Sequence, residues 1–345
     1  MPSDERYSRQ ILFHGIGEEG QRRICNGRVL LCGCGALGSV IADGLVRAGV
    51  GFLRLVDRDF VELSNLQRQV LYDEQDIAEQ LPKAIAAGRK LAKINSSIRL
   101  EPIVADIDHT NMLALADGVD LIVDGMDNFE TRFLINDAAL EMKIPWVYGG
   151  CVGSHGQVLP IFPRETACLR CLIGDVPGPG MTETCDTAGV IGPAVNVVAA
   201  LQVVAALKIL AGRRNQIEPS LMIVDVWDGT LRKMNLATLR ERSDCPACVR
   251  GERDWLSGKK GSQTTALCGR NAVQVSPAEK QALSLAELAA KLRAAGDVSQ
   301  NAFLLRLTLP GNEFQLTVFP DGRAIIKGTD DITVARSLYA RYVGT

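Results

Sequence analysis

The chain has 345 residues, of which 47% are hydrophobic and 23% are charged, and its formal net charge is −2. This length and composition are typical of a globular protein with one large domain and a small second one. The near-balanced charge excludes a general basic surface for nucleic acid, and no block of like charge predicts a disordered tail.

The two segments that bear on localisation both favour the cytoplasm. The N-terminal decapeptide MPSDERYSRQ has no apolar core followed by a small-residue cleavage site, so we expect no secretion. Val190 to Leu210 is almost continuously apolar and nearly long enough to span a bilayer. Because Pro193, Gln202 and Lys208 interrupt it, we interpret it as a helix buried in protein, with no membrane partner.

Short apolar strands alternate with helical segments between Gly27 and Tyr148. This alternation is typical of an α/β fold with a parallel, Rossmann-like, doubly wound sheet. The predicted strands are Arg28–Cys32, Phe52–Asp57, Arg99–Val104, Leu121–Asp124 and a segment opening at Pro145; the predicted helices are Ser39–Ala48 and Lys83–Ile94.

Three further regions follow the first predicted sheet. Residues 151–249 form a Gly- and Pro-rich elaboration that completes a first domain, residues 1–249. The polar segment 250–265 is predicted to be a linker. Residues 266–345 are predicted to form a small α+β domain with a docking or regulatory role. Its signals are a capping box at Ser284 and Glu287, strands at 302–309, 314–319 and 323–327, and a final helix at 333–343.

A glycine-rich turn follows the first strand. Gly33, Gly35 and Gly38 form G-x-G-x-x-G before a helix, where glycines let the backbone approach a phosphate at the helix N-terminus. Asp57 ends the next strand, where a carboxylate can accept hydrogen bonds from ribose hydroxyls. These residues alone predict a dinucleotide-dependent oxidoreductase as readily as any other nucleotide enzyme.

The residues after Asp57 favour a triphosphate over a nicotinamide. They comprise Asp59, Asn65, Arg68 and Lys83, followed by Asp124 and Asp127 in DGMDN at the end of a strand. Cations neutralise charge that develops on a pyrophosphate leaving group, and a carboxylate can hold Mg²⁺ against phosphates. Taken singly, Arg68 or Lys83 is equally consistent with a solvated surface charge.

Four of the ten cysteines form two C-x-x-C pairs, Cys168 with Cys171 and Cys245 with Cys248. Four thiolates are the ligand count of a closed, structural zinc site, which would join two distant loops. The alternative interpretation is two independent redox motifs or buried thiols.

The motifs RYSRQ, GCGALGS, LVDRDFVELSNLQRQ, LPKA, DGMDN and the paired C-x-x-C occur here in the order found in a known family. Over residues 5 to 249 the chain resembles the MoeB/ThiF/HesA family of ubiquitin-activating-like adenylyltransferases. The resemblance implies ATP-dependent adenylation of the C-terminal Gly-Gly carboxylate of a ubiquitin-like sulfur-carrier protein, ThiS- or MoaD-like. That step prepares a thiocarboxylate for thiamin or molybdopterin biosynthesis.

The resemblance also implies residue roles and a homodimer. Arg9 would reach across the dimer interface to the partner's ATP, Asp57 would hold the ribose and Asp127 would bind Mg²⁺. The other residues expected to contact the nucleotide are Gly33, Gly35, Gly38, Asp59, Asn65, Arg68 and Lys83. The four paired cysteines would hold structural Zn²⁺.

Cys185 matches a cysteine that takes part in sulfur transfer in some family members and is dispensable for adenylation in the MoeB-like branch. Residues 266–345 lack the persulfide-forming loop of a rhodanese, so we expect an external sulfur donor, such as a cysteine desulfurase or a rhodanese. Three alternatives remain open at this point: a dinucleotide-dependent oxidoreductase, a relative acting on a small molecule or tRNA, and a non-catalytic zinc-stabilised scaffold.

Overall fold

The computed structural model describes residues 4–175, 188–260, 264–267, 271–276, 283–311 and 313–343. The chain divides into two compact units, Met1–Lys260 and Gly261–Thr345. Each unit has its own sheet and its own hydrophobic core.

The first unit is built on an eight-stranded sheet in the order β3-β2-β1-β4-β5-β6-β7-β8. Strands β1 to β5 are parallel, as the sequence predicts for a doubly wound α/β domain, whereas β6, β7 and β8 continue the sheet antiparallel. The strands are β1 Arg28–Cys32, β2 Phe52–Asp57, β3 Arg99–Val104, β4 Leu121–Asp124, β5 Trp146–Val152, β6 His155–Ile161, β7 Ser220–Asp225 and β8 Thr230–Asn235.

The antiparallel extension was not anticipated from the sequence. The last strand, β8, is exposed along most of its length, so its residues carry no alternating apolar pattern. Without that pattern a strand at a sheet edge gives little local signal. The sequence therefore predicted an elaboration in this region without assigning its strands.

Ten helices accompany this sheet in the part of the chain that the structure describes. They are Asp4–Leu12, Gly17–Asn26, Ala36–Ala48, Glu74–Ala78, Lys83–Ile94, Met112–Ala116, Phe129–Met142, Leu169–Ile173, Gly192–Leu210 and Leu239–Arg242. The predicted helix at Lys83–Ile94 has the same bounds in the structure, and the one at 39–48 begins one turn earlier, at Ala36.

The Gly192–Leu210 helix is the one described helix long and apolar enough to cross a membrane, by length and composition alone. Half of its most apolar window is buried within the protein, where the helix packs against β5, β6 and the Ala36–Ala48 helix. Its opposite side exposes Val197 and Val204. The predicted burial is therefore confirmed for one face of the helix.

The second unit is a six-stranded antiparallel sheet in the order β11-β12-β13-β14-β10-β9, packed with two helices. The Ser284 hydroxyl accepts a hydrogen bond from the Glu287 amide at the start of the first helix. The elements are β9 Thr264–Leu267, β10 Ala272–Val275, β11 Asp297–Gln300, β12 Leu305–Thr308, β13 Gln315–Val318 and β14 Ala324–Lys327, with helices Leu285–Leu292 and Ile332–Tyr342. The predicted small α+β domain is confirmed.

The first unit extends past residue 249, where the sequence analysis placed the start of a linker. Trp255 is buried, and its indole stacks on Phe133 with ring centroids 5.6 Å apart. The Trp255 amide also donates to Asp137 Oδ2 over 3.1 Å. Residues 250–260 therefore belong to the first unit, because a single aromatic side chain anchors an otherwise polar segment.

Candidate nucleotide site and cysteine cluster

The candidate nucleotide site lies at the carboxyl edge of the parallel sheet, where β1, β2 and β4 end. The Gly33 amide donates to the Val56 carbonyl over 2.8 Å, and the Gly125 amide donates to the Cys32 carbonyl over 2.8 Å. The start of the glycine loop (residues 33–38) is therefore joined to the end of β2, and the end of β1 is joined to the segment that follows β4. Ligands bind in this crevice in open α/β sheets.

The three glycines of the loop meet different surroundings. Gly33 has a φ of +88°, and a Cβ there would lie 2.7 Å from the Gly125 carbonyl oxygen. A Cβ at Gly38 would overlap the Gly33 carbonyl. Gly35, by contrast, has open space, with Gln69 Nε2 the nearest atom at 3.9 Å. The backbone is thus most accessible at Gly35.

Gly35 is also the N-cap of the Ala36–Ala48 helix, and no side chain caps that end. The first amides of a helix lack partners within the helix, and its dipole favours an anion there. An uncapped helix start beside an open glycine can therefore receive a phosphate group.

Asp57 holds the glycine loop and the segment after β2 together. Its Oδ2 accepts from the Cys34 amide over 2.6 Å, and its Oδ1 accepts from the Asp59 amide over 2.7 Å. Burial raises the pKa of this carboxyl, and the positive charge of Lys83 opposes that effect. Its expected contact with a ribose remains a prediction.

Lys83 and Asp59 form an ion pair beside Asp57. Lys83 Nζ lies 3.3 Å from Asp59 Oδ2, and the Lys83 amide donates to the Asp59 carbonyl over 2.8 Å. Only 3% of Lys83 is exposed, so it is not the solvated surface charge that the sequence left open. A cation shielded from water interacts strongly with a phosphate that enters the same site.

Asn65 and Arg68 lie in the turn that follows. Asn65 and Gln69 are buried, and the side-chain oxygen of each has no hydrogen-bond partner among the residues that the structure describes. Arg68 is half-buried and donates from Nη1 to the Ser64 carbonyl over 2.8 Å. Gln69 Nε2 lies 3.9 Å from the position that a Cβ on Gly35 would take, which places this turn beside the glycine loop. Buried unpaired oxygens are costly unless a donor reaches them.

The segment after β4 is held by a buried ion pair that the sequence analysis missed. Arg132 Nε lies 3.0 Å from Asp124 Oδ2, and Arg132 Nη2 donates to the carbonyls of Met126 and Gly149 over 2.6 and 2.9 Å. Burial raises the pKa of Asp124, and Arg132 opposes this. A charged residue within the apolar run of FETRFLINDAAL was the available signal. Asp127 lies in the same loop and is exposed.

Arg9 is not brought to this cluster within one chain. It is exposed on the Asp4–Leu12 helix, whose Gln10 donates to the carbonyl of Ala48. Ala48 ends the helix that begins at the glycine loop. At 1.5 Å per residue this helix is about 18 Å long, so its Ala48 end lies about that far from the loop. An arginine side chain cannot cover that distance. Cys185, the candidate sulfur residue, lies outside the described residues.

The four paired cysteines meet, as their spacing predicts. Their sulfurs all lie within 4.8 Å of one another, with 3.6 Å between Cys168 and Cys245 and 3.3 Å between Cys171 and Cys248. A tetrahedral zinc with Zn–S bonds of about 2.3 Å separates its sulfurs by roughly 3.8 Å. Four thiolates at this spacing fit such an ion and leave no ligand position for water.

Comparison with known proteins adds the following similarities. The sequence profile of the ThiF family matches residues 7–247. The chain is 43% identical over 340 residues to the sulfur carrier protein ThiS adenylyltransferase of Bacillus subtilis (strain 168), which covers 98% of this chain and 99% of that one. It is 37% identical over 244 residues to the protein of the same name from Escherichia coli (strain K12), covering 70% and 94% of the two chains.

Among solved structures, the crystal structure of E. coli MccB with ATP superposes with a TM-score of 0.59 and 25% sequence identity. The match covers 71% of this chain and 74% of MccB.

Proposed function

This chain belongs to the ThiF family, and we propose that it uses ATP to adenylate the C-terminal carboxylate of a ubiquitin-like sulfur-carrier protein. The observation that carries the proposal is the meeting of the glycine loop, the Asp59–Lys83 pair and the Asp124–Asn128 loop at one sheet edge. This set of groups suits a triphosphate, whereas a nicotinamide requires an apolar slot for its ring.

The proposed chemistry needs no general base. A carboxylate oxygen of the carrier attacks the α-phosphorus of ATP, and the bond from that phosphorus to the bridging oxygen breaks. Pyrophosphate leaves with the electron pair, and the carrier keeps an acyl-adenylate. The nucleophile is already charged at neutral pH, so catalysis consists of positioning and of stabilising charge on the leaving group.

We assign the phosphate contacts to groups on the glycine loop and on the segments beside it. The amides at the start of the Ala36–Ala48 helix receive a phosphate, and Lys83 supplies a shielded positive charge. Asn65 and Arg68 complete the phosphate contacts from the neighbouring turn, and Asp57 holds the ribose. The donors for these contacts are the side-chain NH2 group of Asn65 and the guanidinium of Arg68, since phosphate oxygens accept hydrogen bonds.

We assign Mg²⁺ to Asp127. Its carboxylate is an oxygen ligand of the kind that Mg²⁺ prefers, and it is exposed at the sheet edge where the phosphates would lie. A bound Mg²⁺ would neutralise negative charge on the triphosphate, and Asp127 would hold that ion at the sheet edge.

We further propose that the active unit is a homodimer in which Arg9 serves the partner's ATP. An action in trans is supported by the position of the Arg9 helix, whose Gln10 contacts Ala48 at the end of a helix about 18 Å long that begins at the glycine loop. Leu12 and Phe13, which lie shortly after Arg9 in the chain, are both exposed apolar residues suited to an interface.

Mixing two inactive variants tests this action in trans. In a mixed dimer of Arg9→Ala and Lys83→Ala chains, one site has an intact Lys83 and receives Arg9 from the partner, so activity should return. No recovery on mixing would reject the action in trans.

The cysteine cluster is assigned to a structural Zn²⁺, as its closed set of four sulfurs indicates. The outer sulfur of a persulfide, carried by Cys185 or by an external donor such as a desulfurase or a rhodanese, then attacks the acyl carbon and displaces AMP to give an acyl disulfide. A thiol attacks the S–S bond of that product, forms a disulfide with the donor sulfur and releases the thiocarboxylate. We place this reaction in the cytoplasm and in thiamin or molybdopterin synthesis.

The deciding experiment is ATP–pyrophosphate exchange by the purified protein, with and without Gly-Gly-ended carrier proteins. We expect exchange with one carrier, and its loss in Arg68→Ala and Asp127→Ala. Arg22→Ala, which removes a surface arginine paired with Glu19, serves as the control and should keep full activity. An absence of exchange with every carrier would reject the proposed reaction and favour a small-molecule or tRNA substrate.

A further inference from the structure

The hydroxyl of Tyr72 lies between two parts of the candidate ATP site. It donates to the Cys34 carbonyl over 2.7 Å and lies 3.2 Å from the Lys83 carbonyl. Tyr72 is 7% exposed, and burial raises the pKa of its hydroxyl well above the usual range. The hydroxyl therefore stays protonated and remains a donor to these carbonyls.

These contacts close a ring of hydrogen bonds that includes Cys34 of the glycine loop. The ring runs from the Cys34 amide to the carboxylate of Asp57, from there to the Asp59 amide, and from the Asp59 carbonyl to the Lys83 amide. The Lys83 carbonyl then faces the Tyr72 hydroxyl, which returns to the Cys34 carbonyl. Tyr72 joins the loop directly to the start of the Lys83–Ile94 helix, whereas the other path between them passes through Asp57 and Asp59.

The contact to Cys34 also sets a direction at Gly35. The Cys34 carbonyl and the Gly35 amide belong to one planar trans peptide unit, so they point in opposite directions. A hydroxyl that holds the carbonyl on the protein side therefore turns the Gly35 N–H away from itself. Gly35 is the loop position with open space for a ligand and the N-cap of the uncapped helix.

We infer that Tyr72 is a positioning residue for ATP: its hydroxyl keeps the Gly35 amide and the Lys83 ammonium in the relative placement that a triphosphate requires. The inference rests on the proposed adenylation in so far as ATP is the ligand of this site. Tyr72 acts through the loop and the helix that it joins and does not contact the nucleotide.

The test is Tyr72→Phe, which removes one oxygen and keeps the ring. The loss of one neutral hydrogen bond typically weakens the interaction that it supports about two- to tenfold. We therefore expect the Kd for Mg·ATP from calorimetric titration, and the KM for ATP in pyrophosphate exchange, to rise about two- to tenfold. The kcat should change less, and the KM for the carrier should be unchanged.

Tyr339→Phe is the matched control. The Tyr339 hydroxyl also donates to a backbone carbonyl, that of Gly322, over 2.7 Å, but it lies in the second unit. Both variants should lose a similar, small amount of stability in denaturant unfolding. The Kd for ATP should rise in Tyr72→Phe only.

The outcomes separate this inference from the proposed function. A Kd and KM for ATP within twofold of wild type in Tyr72→Phe would overturn the positioning role, as would an equal rise in Tyr339→Phe. Wild-type protein that binds ATP and exchanges with no carrier would reject the adenylation, and the Kd for ATP would still decide the role of Tyr72. Wild-type protein that does not bind ATP would overturn both.

Discussion

At the scale of single residues, the three glycines of the loop serve different needs. Gly38 is required by the fold, because any side chain would overlap the Gly33 carbonyl. Gly35 has space for a methyl group, so its small size is not explained by contacts within the protein. The phosphate contact that we propose at this backbone would account for a glycine here.

Alanine substitutions should therefore separate folding from binding. Gly38→Ala should destabilise the protein by about 1 to 3 kcal/mol, the usual cost of inserting an atom into a packed region. Gly35→Ala should lose less stability than Gly38→Ala, because the nearest atom to the added Cβ lies 3.9 Å away, and it should bind ATP about tenfold more weakly, a change of 1.4 kcal/mol. Urea unfolding and calorimetric titration measure the two effects. Wild-type ATP affinity in Gly35→Ala would contradict a phosphate position against this backbone.

Asp137 has a raised pKa that should make the stability of the protein depend on pH. It is fully buried and accepts hydrogen bonds from the amides of Trp255 and Leu256 over 3.1 and 3.4 Å. Burial raises the pKa of its carboxyl to about 6, and those two hydrogen bonds oppose the rise. An unfolded aspartate titrates near 3.9. The folded protein thus binds this proton more tightly than the unfolded chain.

Stability should consequently fall as pH rises through the range from about 4 to 6, where only the folded carboxyl is protonated. Between pH 5 and pH 8 the loss from this residue is about 1.5 kcal/mol. Asp137→Asn should lack that loss, so its stability relative to wild type should increase by the same amount over this range. Denaturant unfolding at both pH values tests this, and a pH-independent difference would contradict the raised pKa.

At the scale of elements, the cysteine cluster joins the segment after β6 to the segment after β8. Cys168 and Cys245 are 77 residues apart in the chain, and their sulfurs lie 3.6 Å apart. A metal that closes so long a loop removes much conformational entropy from the unfolded chain. The cluster therefore holds the antiparallel edge of the sheet in place.

Cys168→Ser should abolish bound zinc and lower the Tm by about 10 °C or more, since a structural metal contributes several kcal/mol and each kcal/mol shifts the Tm by about 2–4 °C. Cys25→Ser, which changes a cysteine outside the cluster, is the control and should keep both the zinc and the Tm. Metal analysis and calorimetry give the two readouts. An unchanged Tm in a zinc-free Cys168→Ser protein would show that the ion is not structural.

The long Gly192–Leu210 helix shows what an element's own sequence leaves undetermined. It is apolar on nearly all sides, so its residues carry no helical pattern that distinguishes a buried face. Only packing against β5, β6 and the Ala36–Ala48 helix selects one face for burial and leaves Val197 and Val204 exposed.

At the scale of the whole molecule, the described residues of the candidate nucleotide site all belong to the first unit. Every hydrogen bond described for the candidate nucleotide site joins residues of Met1–Lys260. The match with the E. coli relative covers 94% of that protein but only 70% of this chain. The first unit therefore contains the groups proposed for catalysis, and we assign the second unit to docking or regulation.

A chain that ends at Lys260 should fold and catalyse pyrophosphate exchange. A chain that ends at Val249 should be less stable by about 3–5 kcal/mol, because it loses the buried Trp255 that stacks on Phe133. Comparing the two truncated chains with the full chain, by unfolding and by exchange, tests the boundary. Loss of exchange in a stable 1–260 chain would assign the second unit a part in adenylation.

The sequence by itself determined the α/β class, the positions of β1 to β4, the small second domain and the pairing of the cysteines. These features follow from local periodicity, from turn residues and from ligand spacing, which are properties of neighbouring residues in the chain. The family motifs also located the candidate nucleotide residues, whose roles stay predictions.

Only the tertiary structure decided the rest. The Asp124–Arg132 pair, the link from Tyr72 to Cys34 and the packing of Trp255 on Phe133 join residues from different elements. The antiparallel strands β6 to β8 likewise depend on pairing with an existing sheet edge. Such contacts depend on which elements become neighbours when the chain folds, and no local pattern encodes that choice.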